Sequence, residues 1–296
     1  MSDRPEVASR LAAQFGRSVG LDVAAAAVFR VRSSVLVELP RSRVIARVEP
    51  PTDEATAQRM VAAARFYEQR GAPTVRLAPV GKQPFVHSAG VVTLWQRLEH
   101  VDGDVSPHEI GRLVRRIHDA SGPPFSPEIP PLDPLELVPV LLATPGPGFE
   151  PNRLGGLFDR LATLRARWDA LGEEDPLGTV LAHGDVHRDN VVLTEDGPIL
   201  LDLDLAGVGP ASWDLAVPAV NSQRYGGSKS DIETCIEGYG ADPRRWSGFD
   251  LLCRLYELYV VAWAVHCSRD TPAMAGEARL RVATLLDGAT DPWSQH

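Results

Sequence analysis

One short stretch spaces its oxygen-bearing side chains in a way suited to chemistry. Residues 181–204 read Leu-Ala-His-Gly-Asp-Val-His-Arg-Asp-Asn-Val-Val-Leu-Thr-Glu-Asp-Gly-Pro-Ile-Leu-Leu-Asp-Leu-Asp. Two apolar runs, 190–194 and 198–203, flank Asp196-Gly197, a strong local signal for a β-hairpin. Folding about that turn places Asn190 roughly opposite Asp202. An amide oxygen and a carboxylate then meet at the open end. Both are hard ligands of the kind Mg²⁺ accepts in small numbers while waters and phosphates fill its other positions. Asp185 stands five residues before Asn190, on the loop leading in, and is a candidate general base.

The order Asp185, Asn190, Asp202 matches the layout of kinases, where a catalytic-loop Asp precedes a metal-binding Asn by five residues and a second metal-binding Asp follows. His183-Gly184-Asp185 and Asp202-Leu203-Asp204 together resemble the aminoglycoside phosphotransferase-like family of small-molecule kinases. Its loop reads His-Gly-Asp-x-His-x-x-Asn and its second motif Asp-x-Asp or Asp-x-Glu. Residues 207–216, Gly-Val-Gly-Pro-Ala-Ser-Trp-Asp-Leu-Ala, are similar to the family's Gly-x-Pro-x-x-x-Asp-Leu-Ala. The resemblance is strong over about 180–216, weaker over 28–120 and faint elsewhere. It implies an α+β, protein-kinase-like, two-lobed fold. The small lobe is expected at 1–97, the hinge at 98–103 and a mainly helical catalytic and acceptor-binding lobe at 104–296. The implied reaction is ATP-dependent phosphorylation of a small-molecule hydroxyl, with GTP left open as donor and antibiotic modification within range. Asp185 would be the base, Asn190 and Asp202 the Mg²⁺ ligands, and His183, Asp204 and Asp214 supporting residues.

The elements that must position these groups are legible in order. Residues 3–17 read as an amphipathic helix packed on the small lobe, with Val7, Leu11 and Phe15 at i, i+4, i+8. Ala27–Arg32, Val35–Leu39 and Val44–Val48 read as an antiparallel meander. In the kinase reading the first break, Ser33-Ser34, covers the nucleotide phosphates without a Gly-x-Gly, offering N–H and hydroxyl donors instead. Arg47 takes the slot of the third-strand lysine, although arginine is bulkier and not equivalent. The helix over 53–70 carries Met60 where relatives carry the pairing glutamate; Glu54 and Glu68 flank it. Residues 71–77 end that helix and begin a strand. Phe85–Ser88 and Val91–Leu98 complete a five-stranded sheet, whose end would bind adenine through backbone groups near Gln96 and Leu98.

Residues 107–120 predict a helix that includes His118. Ten prolines in 121–151 exclude long regular structure, leaving one helix over 135–142. Helices follow over 154–171, 212–221, 229–240, 248–268 and 272–287. Asp214 falls in the first turn of its helix, where a carboxylate satisfies unpaired N–H groups. Arg254, Glu257 and His266 are the polar exceptions on the long helix and are read as structural pairs.

Composition bounds the rest. The 296 residues suffice for one large or two modest domains. No apolar run reaches a membrane span, and the first residues do not read as a signal peptide. Three cysteines without metal spacing suit a reducing cytoplasm. Residues 1–100 carry a net charge of +5 and the remainder −14, for −9 overall. That balance argues against general nucleic-acid binding and fits a cationic acceptor, such as an aminoglycoside, aminosugar or amino alcohol, facing the acidic half. The chain is expected as a monomer or homodimer. No activation segment of useful length separates Asp202 from Asp214, which disfavours protein substrates.

Other readings compete. His183, Asp185 and His187 as alternate strand residues would share a face and bind zinc, as in a metallohydrolase. That site needs a further ligand cluster, and histidines 87, 100, 108, 118, 266 and 296 are scattered. Loss of the Lys–Glu pair would also suit a pseudokinase that binds nucleotide without turnover. A hairpin with a purely structural role would have to place many polar residues to no end.

Overall fold

A computed structural model describes residues 3–170, 174–269, 271 and 273–294. The small lobe begins with α1 (Arg4–Ser18), whose Ala8, Leu11 and Ala12 are buried at helical spacing. It packs on an antiparallel sheet built from β1 (Ala27–Val31), β2 (Val35–Leu39), β3 (Val44–Glu49), β4 (Phe85–His87) and β5 (Gly90–Gln96), in the spatial order β1-β2-β3-β5-β4. Alternation decides the faces. Val35, Val37, Leu39, Val44 and Ala46 face α1 and form one apolar core with it. Leu36, Ile45 and Arg47 lie on the other face, toward the large lobe.

Between β3 and β4 runs α2 (Glu54–Gln69). Its apolar side belongs to the larger core: Ala57, Met60, Val61, Ala64 and Tyr67 are buried together with large-lobe residues. The Tyr67 hydroxyl donates to the Leu181 carbonyl at 2.8 Å. Residues 73–77 do not make the expected strand. Thr74 and Leu77 form only isolated bridges, because the segment is shared: Thr74 lies parallel to Leu200 of the catalytic hairpin and Leu77 antiparallel to Trp95 of β5. Val75 N–H donates to Leu200 O and Leu200 N–H to Pro73 O. The hairpin is thereby tied to the small-lobe connector by backbone alone.

The large lobe contains α3 (Pro107–Ala120), α4 (Leu137–Ala143), α5 (Pro151–Asp169), β6 (Thr179–Ala182), β7 (Val191–Thr194), β8 (Gly197–Leu200), β9 (Gly207–Pro210), α6 (Trp213–Arg224), α7 (Lys229–Tyr239), α8 (Ser247–Cys267) and α9 (Met274–Asp287). A Ser106–Glu109 capping box starts α3 where expected. A proline begins α5, which starts three residues before the expected Leu154. The expected ends at Leu171 and Pro272 lie outside the described residues. Strands β6 and β9 pair with each other, and β7 pairs with β8. Apolar α8 runs through the core, with Leu252, Leu258, Val261 and Ala264 buried. Of its polar exceptions, Glu257 pairs with Arg224 and His266 with Thr144, whereas the Arg254–Asp250 pair is exposed.

The hairpin itself corrects the expected turn and sharpens the expected register. Thr194 pairs with Gly197, so the two-residue connection is Glu195-Asp196, and the positive φ of 108° falls on Gly197. Val191 pairs with Leu200, and Leu201 N–H donates to Asn190 O at 2.7 Å. Asn190 therefore opposes Leu201, and Asp202 lies one residue beyond.

Candidate active site

The Asp185 loop is held from below by buried polar groups. Asp214, in the first turn of α6, accepts the backbone N–H of His183 at Oδ2 and of Gly184 at Oδ1, both at 2.8 Å. Sequence reasoning had this carboxylate serving its own helix. The fold turns it onto the loop instead. His118 Nε2 lies 2.9 Å from Asp214 Oδ2, and Nδ1 lies 3.0 Å from the Tyr239 hydroxyl. Burial works to raise the Asp214 pKa, but the bond to His118, its charge and the loop N–H groups outweigh it, leaving the carboxylate below its ordinary value. Trp213 Nε1 donates to Gly184 O at 2.8 Å. Gly184 has φ 91°, and a Cβ there would come within 2.5 Å of Leu205 O, so only glycine fits.

His183 has a fixed tautomer. Its Nδ1 accepts the Asp185 N–H at 3.3 Å, so the ring proton sits on Nε2, 2.7 Å from Leu201 O. Burial lowers its pKa despite the surrounding carboxylates. This ring stitches the Asp185 loop to the strand end that carries Asp202. The zinc reading fails on this geometry: β6 ends at Ala182, and both His183 nitrogens are engaged by backbone. Among the described residues no group of three or more His, Cys, Asp and Glu is arranged to hold a metal.

Asp185 is oriented from three sides. Tyr256 of α8 donates its hydroxyl to Oδ1 at 3.0 Å, His187 Nε2 lies 3.3 Å from Oδ2, and Asn190 Nδ2 donates to the Asp185 carbonyl at 3.0 Å. Burial pushes the Asp185 pKa up, but the His187 bond and charge and the Tyr256 bond hold it below its ordinary value. His187 is raised in return, its burial outweighed by Asp185. Tyr256 was not found from sequence; a tyrosine inside an apolar helix reads as core unless the neighbouring loop is known.

Facing this loop, Arg47 of β3 gathers three carboxylates. Its Nη1 lies 2.5 Å from Asp202 Oδ1, Nη2 3.1 Å from Glu49 Oε1 and 3.6 Å from Asp204 Oδ2, and Nε donates to Glu49 Oε1 at 3.2 Å. Glu49, two residues along the same strand, thus takes the partner role that helix α2 does not supply. Met60 is fully buried, and Glu54 accepts from Gln58 instead. The signal was available: residues i and i+2 on a strand share a face. From α2, Arg59 Nη1 donates to the Asp204 carbonyl at 3.2 Å.

The acids are crowded. Asp202 adopts φ 60°, a left-handed backbone that costs a non-glycine residue about 1–3 kcal/mol. Burial first, then the Asp202 charge, drives the Asp204 carboxyl above its ordinary pKa even with Arg47 beside it, although 35% of its side chain is open to the cleft and solvent relieves part of that push. One buried oxygen, Glu49 Oε2, has no hydrogen-bond partner. Such a surplus of negative oxygen suits a small hard cation, which reverses the local pKa logic. The Asn190 amide nitrogen faces Asp185, which leaves its oxygen available as a further ligand.

The remaining sequence candidates fall into place unevenly. Ser33 and Ser34 lie in the β1–β2 turn, closed by Arg32 N–H donating to Ser34 O. Arg4 of α1 holds the Ser33 carbonyl at 2.5 Å from outside. Gln96 donates its backbone N–H to Arg76 O and one amide N–H to Leu77 O, both inside the lobe. Leu98 is half-buried just past β5.

A catalytic-type loop, an acid cluster and a sheet-borne arginine meeting between two lobes define a kinase-like phosphotransferase. A family model described as the phosphotransferase enzyme family matches residues 30–249, and the chain belongs to that family. Solved structures share the fold. Amicoumacin kinase hAmiN, in complex with AMP-PNP, Ca²⁺ and Ami, aligns with TM-score 0.68 at 13% identity over 91% of this chain and 90% of that one. Choline kinase LicA from Streptococcus pneumoniae gives 0.65 at 15% identity over 93% and 99%. Aminoglycoside phosphotransferase APH(3'')-Id from Streptomyces rimosus gives 0.62 at 20% identity over 84% and 98%. No curated protein sequence matches significantly. No helix among the described residues is long and apolar enough to cross a membrane.

Proposed function

We propose that the chain transfers the γ-phosphoryl group of ATP to a hydroxyl of a small, cationic molecule. The observation that carries this reading is the Asp185 carboxylate. It is ionised at neutral pH, fixed by Tyr256 and His187, with Asn190 holding the Asp185 backbone carbonyl, and set opposite the Arg47 acid cluster. In this reading Asp185 orients the acceptor hydroxyl and takes its proton as the new P–O bond forms. Asn190 and Asp202, with Asp204 beside them, would hold Mg²⁺, which when bound offsets negative charge on the phosphates. Arg47 and Glu49 hold Asp202 and Asp204 in register with the loop, and Arg47 supplies the β3 cation of the nucleotide site. The Ser33-Ser34 turn covers the phosphates, and backbone groups near Gln96 and Leu98 receive the base, with the hinge at 98–103 between lobes at 1–97 and 104–296.

The acceptor class rests on charge. Residues 101–296 carry −14, and a field of that sign favours a cation over an anion. Structural relatives include kinases named for choline, aminopropanol and aminoglycosides, all of which carry a cationic nitrogen at neutral pH. The test is release of ADP by purified protein with Mg²⁺ across aminoglycosides, aminosugars and amino alcohols. Turnover with one acceptor, lost in Asp185→Asn, supports the assignment. ATP binding without turnover on any hydroxyl compound would instead identify a pseudokinase.

A further inference from the structure

Resting on that reading of the cleft, we propose that Arg30 of β1 is a phosphate-binding residue of the nucleotide site, placed there by a β-bulge. Cationic residues near the acid cluster have unequal freedom. Arg47 spends its guanidinium on Asp202, Asp204 and Glu49. Arg4 is engaged by the Arg32 and Ser33 carbonyls. Arg59 is turned to the Asp204 carbonyl. Arg30, among the described residues, makes no hydrogen bond or ion pair.

Its direction follows from register. Val28 pairs with Val37, but Arg30 pairs with Leu36, so Phe29 is an extra residue in β1 and the side-chain alternation reverses there. Val37 faces α1. Without the bulge Arg30 would share that face with Val28. With it, Arg30 stands in one cross-strand row with Leu36 and Arg47, because Leu36 pairs with Arg47 in the next ladder. That row looks at the acid cluster. The charges agree: the Arg30 guanidinium is destabilised by burial, by Arg32 and by Arg47, and is stabilised by Asp202. β1 runs directly into the Ser33-Ser34 turn, the segment that covers phosphates in kinase-like sites. This turn has no glycine-rich run to lend successive N–H groups. A free guanidinium on the strand leading into the turn is the cation that can grip phosphate oxygens with a planar fork.

The experiment is equilibrium titration of the full chain with ATP, ADP and AMP in the presence of Mg²⁺, for wild type, Arg30→Ala and Arg30→Lys. Arg30→Ala is expected to weaken ATP binding about tenfold or more and ADP binding less, and to leave AMP binding within about twofold. Lysine should recover part of the loss, because it keeps the charge and loses the fork. In turnover assays KM for ATP should rise while KM for the acceptor stays put. Equal loss for all three nucleotides, or no loss for ATP, overturns the assignment to phosphate. If wild type binds no nucleotide at all, the phosphotransferase reading of this cleft fails first, a distinct result. Arg30 is exposed on an edge strand, and unchanged thermal unfolding of the variants separates lost binding from lost fold.

Discussion

The two walls of the cleft are built on different principles. The Asp185 wall is over-determined: each backbone N–H from His183 to Asp185 has a named acceptor, and Gly184 and Trp213 leave no slack. Its loop residues His183, Gly184, Asp185, His187 and Asn190 match the expected loop pattern. The β3 wall is held by charge alone and departs from the pattern at several points, with Arg47 for lysine, Glu49 for a helix glutamate and serines for glycines. Changing a buried side chain that accepts these loop N–H groups leaves them unpaired, at about 1–3 kcal/mol for each group. A cluster of opposite charges can be rebuilt from different positions, provided the sum and the face are kept.

The sharpest way to break that contrast is at Asp185. Asp185→Asn is expected to lower kcat about 10³-fold or more with little change in ATP affinity, measured by ADP release and by titration. A loss under tenfold would move the chemistry elsewhere. Next comes the buried support. Asp214→Ala leaves two loop N–H groups and His118 without their acceptor, and should cost about 3–5 kcal/mol of stability by urea unfolding. Asp214→Asn should cost less, since its one amide oxygen replaces part of the set. On the β3 wall, Glu49→Gln should be milder, raising KM for ATP about tenfold or less with kcat nearly kept. If it is as damaging as Asp185→Asn, the two walls are not built differently after all.

Protonation sharpens the comparison further. His183 is lowered in the folded state from an ordinary value of 6.5, so the unfolded chain binds the proton more readily. Stability is therefore full above about 6.5 and falls as pH drops through that value toward the folded pKa. Urea midpoints at pH 7.5 and 5.5 should show this drop, and His183→Gln should shrink it. The smallest effect is expected for Tyr256→Phe. Removing a bond that favours ionised Asp185 should shift the acid limb of the rate profile to higher pH, with only a few-fold loss at neutral pH.

Much of the fold was legible because its signals are local. Ser106 and Glu109 mark the start of α3, and alternating Val35, Val37 and Leu39 mark a half-buried strand. Residues 73–77 misled because an apolar β-like run has no way to announce that it is divided between β8 at Thr74 and β5 at Leu77. Asp214 was found as a supporting acid, but not what it supports, since its partners lie 30 or more positions away. Tyr256 was invisible for the same reason, 71 positions from the carboxylate it touches.

The sequence by itself determined the family and the two-lobed architecture, because motif spacing and turn chemistry act over a few residues. Only the tertiary structure decided which charges share the cleft. The Arg47–Glu49 pair, the Tyr256 bond and the turning of Arg30 onto the acid face depend on strand register and helix packing. Those are set by burial summed over the whole chain rather than by any one segment.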